Sequence, residues 1–159
     1  MVAKKSILFV CTANQCRSPM AEVIMKDYLK RMDLQSTIDV QSAGTWANNG
    51  FPATELGIKA MAERGLDTST HKSQSITRPL IEKFDLILTM ERNHKEAIQI
   101  EFKKLAEKVF MLSEMSGEMT NIEDPIGRSY QKYLETADQI DDWIKTGFPR
   151  ILQLLDISD

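Results

Sequence analysis

Cys11 and Arg17 bracket five residues in the run Cys11-Thr-Ala-Asn-Gln-Cys-Arg17-Ser18, and Asp124 precedes a proline far downstream. A thiol, a guanidinium and a carboxyl are the parts needed for nucleophilic attack on phosphorus. Backbone N–H groups of Thr12, Ala13, Asn14, Gln15 and Cys16 could point inward as an anion nest, and a helix starting after the loop would add its positive end. Such a field favours thiolate over thiol, and thiolate is the nucleophilic form. Arg17 offers a planar fork of donors that matches two phosphoryl oxygens, which lysine cannot reproduce. Ser18 can donate a hydroxyl hydrogen bond to the Cys11 sulfur. Asp124 can give a proton to a leaving group and afterwards take one from water.

Short strands and helices must hold these groups. Ser6 to Val10 is an apolar run of the kind found in a strand buried on both faces. After it, Pro19 suits a first helical turn, and Ala21, Ile24, Met25, Tyr28, Leu29 and Met32 recur at helical spacing. Thr37 to Ser42 predicts a second strand broken at Ala43-Gly44, and Ala53 to Arg64 a helix closed by Gly65. Leu86–Thr89 and Val109–Leu112 predict two more strands, with a helix over Arg92–Ala106 between them. A last helix starts near Ser129, with a kink or break expected at Gly147 and Pro149. Ser113 to Arg128 has no periodic pattern and reads as one long loop. Strands alternating with helices predict an α/β fold of three layers, flavodoxin-like, with about four parallel strands between helices and a phosphate-binding loop after the first strand. Ligands of such sheets bind beyond the carboxyl ends of the strands. Cys11, Ser42, Trp46, the Thr89–Asn93 segment and Asp124 would all meet there.

The 159 residues suit a single domain spanning 1–159. With 42% hydrophobic and 27% charged residues, disordered and membrane-spanning classes are excluded. The N-terminus has no secretory signal pattern, so the expected location is cytoplasmic, where thiols stay reduced. A net charge of −3 gives no general attraction to nucleic acid or to a membrane surface. The spacing of the two cysteines and two histidines fits no structural zinc motif, and neither metal nor organic cofactor is expected.

The segment VCTANQCRSPMAE resembles the signature of the low-molecular-weight protein tyrosine phosphatase family. The resemblance continues in order through QSAGTW at Gln41–Trp46, THKSQSIT at Thr70–Thr77, FDLILTM at Phe84–Met90 and EDP at Glu123–Pro125. It implies a phosphocysteine intermediate on Cys11, with Arg17 as phosphate clamp and Asp124 as general acid. It further implies a left-handed Asn14 held by Ser42 and His71, and Trp46 on the wall that meets the substrate side chain. Cys16 would be either a reversible disulfide partner of Cys11 or a plain buried thiol. Partners would be phosphorylated proteins or peptides, met by a monomer or weak dimer.

Two positions depart from the tyrosine-directed pattern. The family usually has a bulky aliphatic residue where Gln15 stands, at the loop position facing the leaving group, and often a tyrosine pair just after Asp-Pro. Here Asp124-Pro125 is followed by Ile-Gly-Arg-Ser-Tyr, and DPIGRSYQKYLETADQI resembles the protein arginine phosphatase branch. Phosphotyrosine and phosphoarginine both stay open as substrates.

Other readings compete. An arsenate reductase on this fold needs two further cysteines downstream, and none follows Cys16. A cysteine-phosphorylated sugar carrier has no use for Arg17 or Asp124. A non-catalytic phosphate-binding module would not need nucleophile, clamp and acid together. His71 reads as structural, and His94, in the polar run ERNHKEA, as a surface residue without a role.

Overall fold

The structure, a computed structural model, describes residues 3–157. Its centre is a four-stranded parallel sheet in the order β2-β1-β3-β4, formed by Lys5–Cys11 (β1), Ile38–Gly44 (β2), Leu86–Thr89 (β3) and Val109–Met111 (β4). β1 is apolar throughout its second half because it is covered twice. Ile7, Phe9 and Cys11 enter one core layer, while Leu8 and Val10 enter the other, as the two-residue period of a strand requires. Helices α1 (Arg17–Arg31), α2 (Glu55–Glu63) and α5 (Tyr130–Leu154) supply the first layer through Ile24, Met25, Met61, Ile140 and Ile144. The short α3 (Arg78–Ile81) and α4 (Arg92–Glu101) supply the second through Ile81 and Ile98. Each such side chain contributes roughly 1.5–3 kcal/mol when fully buried. Among the described residues no helix is long and apolar enough to cross a membrane.

The chain leaves β1 for β2 on one side and later returns to β3 on the other. The carboxyl ends of β1 and β3 therefore flank a switch point, where a crevice opens. Cys11, Gly44, Thr89 and Met111 end the four strands along one rim.

The second strand does not break at Ala43-Gly44. Both residues pair with β1, opposite Val10 and Cys11. Gly44 is needed for proximity: a Cβ there would lie 2.3 Å from the Thr12 carbonyl oxygen and 3.0 Å from the Asn14 nitrogen. Its backbone also takes an edge contact, with Gly44 N–H donating to Gln74 O at 2.9 Å and Ile76 N–H to Gly44 O at 3.0 Å.

The fourth strand stops at Met111, and Leu112–Ser116 forms a 3-10 turn in what reads as patternless loop, burying Leu112 and Met115. α4 ends at Glu101 rather than running to Ala106. Phe102 leaves helical geometry (φ −122°, ψ 67°), its side chain is buried in the second core, and a 3-10 turn follows over Lys103–Lys108. α5 shows no break at Gly147 or Pro149. Glycine at 147 admits the 3-10 turn, since a Cβ would sit 2.4 Å from Met115 Cβ. Burial of Phe148, Ile151 and Leu152 offsets the cost of Pro149, about 3 kcal/mol in a helix interior. Met32 caps α1 half exposed and off the buried stripe.

Candidate active site

The loop between β1 and α1 is held from behind by a chain of oriented hydrogen bonds. Ser42 Oγ donates to Glu22 Oε1 at 2.6 Å, so its lone pairs face Asn14, whose Nδ2 donates to Ser42 Oγ at 2.9 Å and to Ser18 Oγ at 2.8 Å. Ser18 Oγ accepts there and keeps its own hydrogen. The nearest acceptors for it are Cys11 Sγ at 2.9 Å and, marginally, Ala43 O at 3.5 Å. An O–H is thus aimed at the Cys11 sulfur.

Asn14 is fully buried with φ 58°, a left-handed conformation that asparagine tolerates better than most residues. Its Oδ1 accepts Gln74 N–H at 2.9 Å, and its carbonyl takes His71 Nε2 at 2.7 Å. A carbonyl only accepts, so the proton of His71 sits on Nε2. Gln74 Nε2 donates to Ser42 O at 2.9 Å and closes the network. Strand β2 supports the loop's opening as well: Thr45 N–H donates to Cys11 O and Trp46 N–H to Thr12 O, both at 2.9 Å.

Arg17 begins α1 and is 2% exposed. Its Nη1 donates to the Glu91 carboxylate and to Ile122 O at 2.7 Å. One edge of the guanidinium is so anchored, while Nε and Nη2 make no hydrogen bond among the described residues. Nη2 lies 3.8 Å from Asp124 Oδ2. Asp124 is 43% exposed, and its Oδ1 accepts Ile126 N–H at 3.0 Å. It is both the turn former that a residue before proline suggests and a carboxylate held over the loop. Cys11, Ala13, Gln15, Arg17, Asp124 and Ile126 line one small depression.

His94 is not a surface residue. It is 2% exposed, with Nε2 at 2.8 Å from Thr12 Oγ1 and Nδ1 accepting Glu91 N–H at 3.1 Å. Burial is the main reason its pKa falls to about 4; Arg17 lowers it further, against smaller opposing effects of Glu91 and Asp124. The ring lies in the first turn of α4, at hydrogen-bond distance from Thr12, the residue that follows β1. Glu91, like Glu22, escapes a reading of local pattern.

Cys16 is a free thiol, 3% exposed, and burial pushes it up to about 12 against the lowering effect of a Thr54 hydrogen bond. Cys11 is also free. Gln15 is half-buried and donates Nε2 to Pro52 O at 3.1 Å. Trp46 is 85% exposed, and Phe51 and Ile126 are also exposed.

A family model described as low molecular weight phosphotyrosine protein phosphatase matches residues 6–153. The chain is 36% identical over 140 residues to a protein-arginine-phosphatase of Bacillus subtilis (strain 168), covering 87% of this chain and 91% of that one. It is 35% identical over 150 residues to the probable low molecular weight protein-tyrosine-phosphatase EpsP of Ralstonia nicotianae, covering 94% and 98%. A cysteine-to-serine mutant of the YwlE arginine phosphatase, with a phosphorylated active site serine, superposes with a TM-score of 0.86 at 34% identity, over 93% of this chain and 95% of that one. With this coverage in sequence and in fold, the chain belongs to the low molecular weight phosphotyrosine protein phosphatase family.

Proposed function

We propose that this protein hydrolyses phosphorylated protein side chains in the cytoplasm through a cysteinyl-phosphate intermediate on Cys11. The observation that carries this reading is the Ser18 hydroxyl, left by the Asn14–Ser42–Glu22 chain with its hydrogen available to the Cys11 sulfur. That bond stabilises sulfur as an anion, both before attack and when it leaves phosphorus. In the first step Cys11 Sγ bonds to phosphorus, the bond from phosphorus to the side chain breaks, and the Asp124 carboxyl protonates the departing group. In the second step water attacks phosphorus, its proton passes to the Asp124 carboxylate, and the sulfur leaves as thiolate beside Ser18. Arg17, anchored through Nη1, presents Nε and Nη2 to two phosphoryl oxygens, while the backbone N–H groups of residues 12–17 serve the third and share the first two. The phosphorylated serine at the active site of the YwlE mutant supports attack by the side chain at this position in a relative. Cytoplasmic placement is supported by the two free thiols.

Phosphoarginine is the substrate that Gln15 favours. Its Nε2 is committed to Pro52 O, which leaves Oε1 as an acceptor for a guanidinium N–H that loses water on binding. Phosphotyrosine is the second reading, favoured by exposed Trp46, Phe51 and Ile126, which offer apolar surface to a ring. The test compares kcat/KM on phosphoarginine and phosphotyrosine peptides for the wild type, Cys11→Ser and Asp124→Asn. Cys11→Ser should have no turnover. Asp124→Asn should slow alkyl or other poor leaving groups by about 10²–10⁴-fold and activated aryl phosphates much less. Turnover by Cys11→Ser, or a uniform loss across leaving groups with Asp124→Asn, contradicts the assigned roles.

A further inference from the structure

His94 joins two parts of the site that are distant in sequence. Its Nδ1 accepts the Glu91 N–H, so the single proton of the neutral ring lies on Nε2, which donates to Thr12 Oγ1 at 2.8 Å. Thr12 follows the nucleophile directly, and its carbonyl is held on its other side by Trp46 N–H. Glu91 is the carboxylate that anchors Arg17. The Thr89–Glu91 turn is tied as well, with Thr89 Oγ1 donating to Glu91 O at 3.0 Å and Met90 N–H to Val10 O at 3.0 Å.

We propose that His94 is a positioning residue for the phosphoryl transfer proposed above: as the Nε2–H tautomer it locks Thr12, beside the nucleophile, to the turn that holds the Arg17 clamp. Cys11 sits on β1, whereas Arg17 takes its orientation from Glu91, beyond the end of β3. Without the imidazole, Thr12 keeps no side-chain hydrogen bond among the described residues, and the backbone bond from Met90 N–H to Val10 O is left to tie the nucleophile's strand to the turn that holds the guanidinium. Small displacements between reacting groups are costly, with about 1 Å sufficient for a loss on the order of 10²-fold.

The inference rests on the phosphatase reading, and its test separates the two. His94→Asn can place an amide oxygen where Nδ1 accepts the Glu91 N–H but cannot reach Thr12, whereas His94→Gln can reach Thr12. With kcat/KM on an aryl phosphate as readout, Thr12→Val should cost about 10-fold in the wild type and less than about 2-fold in the His94→Asn background, because the bond is already absent there. His94→Gln should retain more activity than His94→Asn and keep its sensitivity to Thr12→Val. Inorganic phosphate affinity, read as protection against thermal unfolding, should follow the same cycle without any turnover. Equal costs of Thr12→Val in wild-type and His94→Asn backgrounds overturn the proposal. So does a lower melting temperature in the His94 variants with unchanged kcat/KM and phosphate affinity, since His94 would then support only the fold. If the wild type turns over neither an aryl phosphate nor a phosphoarginine peptide yet the cycle appears in phosphate affinity, the phosphatase reading fails and the positioning role stands.

Discussion

The floor of the site and its rim are built on opposite terms. On the floor, Cys11, Asn14, Arg17 and Ser18 are at most 3% exposed and each has a stated partner. On the rim, Trp46, Phe51 and Ile126 are exposed, and Gln15 makes one side-chain hydrogen bond among the described residues. A buried polar network is rigid because every unmade bond in it is costly. An exposed rim can change residue by residue at little expense. In the proposed reaction the floor fixes the chemistry, and the rim is where the leaving group is chosen.

The difference can be broken first at Arg17. Arg17→Lys should lower kcat by about 10²–10³-fold, since a point charge replaces neither the Nη1 anchor nor the free fork. Steady-state rates on an aryl phosphate check this, and a loss below tenfold would remove the bidentate role. Asn14→Ala should come next. It places alanine in a left-handed conformation costing about 1–2 kcal/mol, and it removes the buried partners of Ser18, Ser42 and Gln74. The expected loss is about 3 kcal/mol, measured as the shift in urea midpoint multiplied by the slope.

His94 sharpens the comparison through pH. Its folded pKa of about 4 lies below the ordinary 6.5, so the unfolded chain binds the extra proton over that interval and stability rises with pH there. The contribution is fully present above about pH 6.5 and is lost as pH falls towards 4. Denaturant midpoints at pH 4.5 and 7 should differ more for the wild type than for His94→Gln. Identical differences would mean that the imidazole is not held neutral.

The smallest effect belongs to the rim. Gln15→Ile should move the ratio of phosphotyrosine to phosphoarginine kcat/KM upward by about fivefold, and Gln15→Thr downward, as befits about 1 kcal/mol from one partly solvated contact. An unmoved ratio would transfer selectivity to Trp46 and Ile126.

The floor was mostly legible in the amino-acid sequence because its main parts are contiguous. Cys11, Asn14, Arg17 and Ser18 lie in one turn whose geometry follows from strand, loop and helix. Glu22, Glu91 and His94 were not legible in the same way. Each is an ordinary charged or polar residue on a helix or turn, and only the sheet order β2-β1-β3 brings it to Ser42, Arg17 or Thr12. The helix boundaries show a related limit. Pro149 has a local cost that any short window registers, whereas the offsetting burial of Phe148, Ile151 and Leu152 depends on packing against α1 and the sheet. Gly44 looked like a strand breaker by composition, yet its value is the missing Cβ beside Thr12 O.

The anchoring of Arg17 and the left-handed Asn14 have a further consequence for how the protein behaves in a mixture. Neither needs a leaving group to form, so the cavity is already shaped for a tetrahedral dianion before any phosphoprotein arrives. Orthophosphate, the product of the proposed reaction, has the tetrahedral shape and the charge of the substrate's phosphoryl group. In the proposed reaction, product and substrate therefore compete for one site, and throughput in a phosphate-rich compartment should fall as the free anion rises.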